Sequence, residues 1–152
     1  MDPVGAILEL IGPDMSGGAV SETFLDNRRL RCLSVPRPHR LANLTDRRAS
    51  GLGVSAEIHT IVPYALSQAW AAALKEVGAD GVRYQLRHDP SFKGVGVGLF
   101  GKTGARRSWK RGRELLIDAP IREKLFQTCG IRVLAIPRRS QLRVVDVDRT
   151  TS

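Results

Sequence analysis

The chain has 152 residues, 42% of them hydrophobic and 26% charged, which suits one globular domain with a modest core and excludes a collagen-like or wholly disordered chain. Lysine and arginine outnumber aspartate and glutamate by 24 to 15, so the net charge is +9 and the surface attracts anions. No apolar run approaches the ~20 residues that span a bilayer, and the opening MDPVGAILELIGPDMSGG lacks the basic start of a secretory signal, which makes the cytoplasm the default location.

In chain order, the residues to about Gly18 read as a loose N-terminus, followed by a helix over Ala19 to Asn27 and strands over Leu30 to Val35 and Arg40 to Leu44. Asp46 to Gly53 is a turn or short helix with Thr45 and Asp46 as cap candidates, and Ala56 to Ile61 is a short link. The main helix runs from Pro63 to Val77. Leu66, Ala69, Trp70, Ala73, Leu74 and Val77 recur there at spacings of three and four, so they share one face, which is expected to be core; Gly78 suits the left-handed residue that ends the helix.

Val82 to Arg87 and Val95 to Phe100 read as paired strands. Alternation puts Val82, Tyr84 and Leu86 on one face and Arg83, Gln85 and Arg87 on the other. Gly94-Val95-Gly96-Val97-Gly98 is followed by neither a helix nor a lysine-serine pair, so it is a strand whose glycines admit close neighbours rather than a phosphate loop. Lys102 to Arg113 reads as a basic loop in which Trp109 is a candidate partner contact. Asp118 and Pro120 open a last helix with Ile121, Leu125 and Cys129 inward, Gly130 closes it, and Ile131 to Ile136 is the final strand. The sum is a single α+β domain over 1–152, its core at about 15–137 and a tail over 138–152. Its small, mostly antiparallel sheet is packed by the Pro63–Val77 helix.

Cys32 and Cys129 are too few for a disulfide framework and have no histidine or cysteine at ligand spacing, so both read as buried thiols and no metal is expected. The arginines are scattered in clusters along the whole chain, without a helix-turn-helix, zinc or RNP pattern, which argues against nucleic acid as a direct partner and leaves an anionic ligand or an acidic protein. Tyr64, Ser67 and Gln68 open the main helix, where free N–H groups and the helix dipole favour an anion such as pyrophosphate; capping and solvent exposure are the plainer explanation of the same residues. Taken alone, Glu22 is a helical surface charge, Tyr84 a core-facing ring and Arg87 the residue before an Asp89-Pro90 turn.

Several short motifs occur in a telling order. They are Gly18-Ala19-Val20-Ser21-Glu22-Thr23-Phe24-Leu25, Tyr64-x-x-x-Gln68-x-Trp70, Asp80-Gly81-Val82-x-Tyr84, Arg87-His88-Asp89-Pro90, Gly98-Leu99-Phe100, Leu115 to Pro120, Arg122 to Leu125 and Cys129-Gly130-Ile131. The ordered set resembles RES domains, a family named for an arginine, a glutamate and a serine. The resemblance implies an ADP-ribosyltransferase-like fold and kinship with NAD-degrading toxins of bacterial toxin–antitoxin pairs. Such proteins break the nicotinamide–ribose bond, passing the ribose carbon to water or phosphate, and are blocked by an antitoxin protein. It further implies that Glu22 stabilises the positively charged sugar, that Tyr64 and Ser67 line the site, and that Tyr84 and Arg87 hold the ring and phosphates. NAD would be substrate rather than cofactor. Two positions depart from the pattern: no arginine precedes Arg28, so on this resemblance the N-terminal segment carrying the family's arginine is missing, and Leu86 stands at the serine position. The expectation is weak activity or none, with a non-enzymatic module that binds a protein or nucleotide as the alternative.

Overall fold

The computed structural model describes residues 3–15, 17–102, 104, 109–137 and 141, and its core begins at the first of them. Helix α1, Pro3–Ile11, carries Val4, Ile7, Leu8 and Ile11 at helical spacing, and all four are buried, Ile7 and Ile11 completely. They meet Val20, Leu25, Ile117, Leu125 and Ile131 in one cluster. The expected loose N-terminus is therefore wrong: the segment is short and flanked by proline and glycine, but its apolar spacing has a period of 3.6 and finds a partner surface.

The expected helix over Ala19 to Asn27 splits in two. Strand β1, Ala19–Ser21, precedes helix α2, Glu22–Asp26. Strand β2, Arg29–Ser34, and strand β3, Leu41–Asn43, follow as expected. Two 3-10 segments, Arg47–Leu52 and Ala56–His59, lead to helix α3, Ala65–Glu76. Asp46 caps the first of them by accepting from Arg48 N, and Gly53 ends it at φ 81°. Strands β4, Gly81–Gln85, and β5, Val95–Leu99, come next, then β6, Lys110–Leu116, helix α4, Ala119–Cys129, and β7, Arg132–Leu134. Asp118 caps α4 by accepting from Ile121 N, and Gly130 closes it in the left-handed region, both as expected.

The fold class is α+β, with the strands of the described residues gathered in three small sheets instead of one. β1 pairs in parallel with β7, β2 pairs antiparallel with β6, and β4 lies between a parallel β3 and an antiparallel β5. β4 and β5 are neighbours, as their alternation predicts. β6 occupies the end of what reads in sequence as a basic loop, while residues 103 and 105–108 of that loop lie outside the described residues, as does nearly all of the expected 138–152 tail.

α3 is in place, but its apolar face is not core. No residue of α3 is buried; Leu66 is 49% and Val77, just past its end, 75% exposed, and Trp70 is half-buried. The core is supplied by α1 and α4, and α3 touches chiefly β4 and the Ala56–His59 segment. Cys129 is exposed rather than inward, because α4 turns Leu125 to the core and its last turn to solvent; Cys32 is half-buried.

Candidate functional site

β4 arranges the site by the alternation of a strand: Val82, Tyr84 and Leu86 on one face, Arg83, Gln85 and Arg87 on the other. The Tyr84 ring packs on Gly96 of β5, so close that a Cβ at that glycine would sit 2.5 Å from Tyr84 Cζ. The ring is half-buried, and its hydroxyl pKa is raised first by burial and then by the charge of Glu9 on α1. Leu86, two residues on, is 8% exposed and donates its N–H to Gly94 O at 3.0 Å. An apolar, buried side chain thus occupies the position at which the resemblance places the family's serine.

The turn after β4 is closed by Asp89, whose carboxylate accepts from the Ser91 hydroxyl at 2.6 Å and from Gly94 N at 2.7 Å. The Ser91 hydroxyl first, with backbone N–H groups and Lys93, holds the Asp89 pKa below the usual carboxylate range. α1 reaches the same place: Glu9 Oε1 accepts from His88 N at 3.0 Å, and the His88 ring packs on Gly12. Nothing local in the sequence signals that contact.

On the opposite face, Arg87 joins the start of α3. Its Nη1 donates to the Tyr64 hydroxyl at 2.8 Å, and its guanidinium lies 5.9 Å from the Tyr64 ring centroid. Ser67 Oγ donates to Tyr64 O at 3.1 Å, leaving its lone pairs rather than its proton for a ligand. Tyr64, Ser67 and Arg87 are therefore one cluster. Among the described residues Arg87 has no carboxylate partner, so an anion beside Tyr64 would meet a half-buried, unneutralised guanidinium.

Glu22 stands apart as the first residue of α2. Its Oε1 accepts from Arg122 Nη1 at 2.6 Å. Arg122, on α4, also donates through Nη2 to Asp26 Oδ1 at 2.5 Å and through Nε to Ile117 O at 2.8 Å. Glu22 and Asp26 are one helical turn apart and share a face that calls for a cation. Arg122 appears in sequence as part of a motif without a role, and the structure makes it the clamp on Glu22. Among the described residues no hydrogen bond or ion pair links Glu22 to Tyr64, Ser67, Tyr84 or Arg87.

Asp80, at the head of β4, accepts from Arg40 N at 2.9 Å and lies 3.8 Å from His39 Nδ1 and 3.4 Å from Arg37. The Arg40 N–H first, then the Arg37 and His39 charges, keeps its pKa low. Trp109 lines a small cavity of about 130 Å³ beside this pair, with Phe100. Among the described residues no group of histidine, cysteine and carboxylate side chains is placed to hold a metal ion, and no helix is long and apolar enough to cross a membrane.

The elements around β4 define an α+β domain with an arginine–tyrosine cluster at a helix start and an ion-paired glutamate on a separate helix. The model of the RES domain family matches residues 1–108, the greater part of the 152-residue chain, and the protein belongs to that family. The matched span takes in α1 through β5 and ends before β6 and α4. No curated protein and no solved structure matches the chain.

Proposed function

We propose that this RES-domain protein binds NAD or a related dinucleotide and cleaves its nicotinamide–ribose bond slowly or not at all. The observation that carries the reading is Leu86, buried and apolar where the resemblance calls for a serine hydroxyl. In such a cleavage, positive charge builds on the ribose ring as nicotinamide leaves, and a nearby carboxylate lowers the barrier by meeting that charge. Glu22 is the candidate carboxylate. Its field is opposed by the Arg122 guanidinium at 2.6 Å, which shares it with Asp26 and lowers what it contributes at a developing cation. Arg87 and Tyr64 supply a cation and a hydroxyl for the phosphates, while the Tyr84 ring, on the other face of β4 and packed on Gly96, stands apart from them. An antitoxin-like protein covering this site belongs to the same proposal. The non-enzymatic alternative differs in turnover alone and rests on the same Leu86.

Calorimetric titration of the whole chain with NAD at low salt tests the binding half. Arg87→Gln removes a charge-assisted contact worth ~1.5 to 3 kcal/mol, so affinity is expected to fall at least about tenfold. Equal heats and affinities for wild type and Arg87→Gln would contradict it.

A further inference from the structure

Beside the Gln85 face of β4, the two 3-10 segments and the turn after β4 line an open pocket of about 350 Å³ that contains none of Glu22, Tyr64, Ser67, Tyr84 or Arg87. We propose that this pocket is a second ligand site, for a nucleoside monophosphate: a planar heteroaromatic ring carrying one anionic group. The volume is at the small end of ligand pockets, enough for one nucleoside and short of a dinucleotide.

Four features point to that chemistry. Phe92 lies on the pocket wall at φ 55°, a left-handed conformation rare for a bulky side chain, and the residue is 68% exposed. The Asp89–Ser91–Gly94 hydrogen bonds, with Phe92 N donating to Asp89 O at 3.2 Å, hold the backbone there. Strain kept to present an aromatic face to solvent is what base stacking uses. Behind the ring, Leu44, Val54 and Ala56 form an apolar floor.

The polar groups suit the edge of a heterocycle. His59 lines the pocket with a buried Nδ1 that has no hydrogen-bond partner, while its ring also hydrogen-bonds the Leu44 backbone; burial lowers its pKa, so near neutral pH the unpartnered nitrogen is left for a ligand. Gln85 gives its Nε2 to Gly94 O at 2.6 Å, leaving Oε1 as an acceptor, and the Ser55 hydroxyl has no partner among the described residues. The anionic group would meet Arg47, an exposed guanidinium with no acidic partner among the described residues. The carboxylate lining the pocket, Asp46, is paired with Arg48, whose Nη2, Nε and backbone N lie 2.8, 3.1 and 2.9 Å from its oxygens.

The test is calorimetric titration of the full chain with adenosine monophosphate, adenosine and inorganic phosphate. Wild type is expected to bind the monophosphate more tightly than adenosine, with phosphate alone a poor competitor. Phe92→Ala should weaken the monophosphate and adenosine alike, by about tenfold. Arg47→Gln should weaken the monophosphate about tenfold and leave adenosine unchanged. Both side chains are exposed, so an unchanged thermal midpoint establishes that the variants fold. The losses caused by Phe92→Ala and Arg47→Gln should persist in an Arg87→Gln background, which separates this site from the dinucleotide reading above. Absence of monophosphate binding, competition by phosphate as strong as by the monophosphate, or loss of binding in Arg87→Gln with Arg47→Gln normal would each overturn the proposal.

Discussion

Ile7→Ala removes three carbons from the middle of the buried face of α1. Ile7 is 0% exposed, and its cluster draws Val20, Leu25 and Leu125 from three other elements and Ile131 from the link between α4 and β7, so the surrounding wall cannot close on the void without shifting several elements at once. Large-to-small replacements of this kind cost ~2 to 5 kcal/mol, and a site that relaxes poorly belongs in the upper half, about 3 to 4 kcal/mol. For a chain of this length each kcal/mol lowers the midpoint by ~2 to 4 °C, so a fall of about 10 °C is expected. Leu66→Ala on α3, with the side chain 49% exposed, should cost under ~1 kcal/mol. Urea unfolding followed by far-ultraviolet circular dichroism gives both values on one scale. A cost below ~1 kcal/mol for Ile7→Ala, or a larger one for Leu66→Ala, would refute the assignment of the core to α1.

Arg122→Gln leaves Glu22 and Asp26 without their shared cation; their side chains are 39% and 51% exposed, so water takes over much of the solvation and the cost should be limited to ~1 to 2 kcal/mol by urea unfolding. Asp26→Asn should cost less, because the Glu22–Arg122 pair at 2.6 Å survives it. His59 supplies a pH signature. Burial lowers its folded-state pKa below 6.5, so the unfolded chain binds its proton first, and the stability this confers is complete above 6.5 and declines as pH falls toward the folded value. Thermal midpoints of wild type and His59→Gln should therefore run parallel above pH 6.5 and converge or cross below it, whereas a constant offset across that range would contradict the burial of His59. The depressed carboxylates, Asp46 at about 2 with Asp80, Asp89 and Glu114 also lowered, act on the far side of their ordinary 3.8 to 4.5 and leave the histidine window clear.

Local signals carried much of this fold. Asp118 and Gly130 bracket α4, Asp46 and Gly53 bracket a 3-10 segment, and β4 pairs with β5 residue by residue, because each is signalled within a few residues of chain. β6 was illegible for the opposite reason. Lys110, Arg111, Arg113 and Glu114 give it no apolar alternation, and it is held as a strand by pairing with β2, where Glu114 meets Arg31. In α3 the periodicity identifies residues that share a face, but whether a face is covered depends on what the rest of the chain brings to it. The site divides in the same way. Tyr84 over Gly96 follows from strand register, while Glu22 meets Arg122 across 100 residues and Arg87 meets Tyr64 across 23, contacts with no local signature.

Nicotinamide release from NAD, followed over hours for wild type, Glu22→Gln and Leu86→Ser, is the most direct test of the proposed function. The expected result is release at or near the uncatalysed rate in wild type, no further loss in Glu22→Gln, and little gain in Leu86→Ser, since the Arg122 guanidinium at 2.6 Å still opposes the field of Glu22. Rapid release by wild type that Glu22→Gln leaves untouched would contradict both the weak activity and the assignment of the carboxylate.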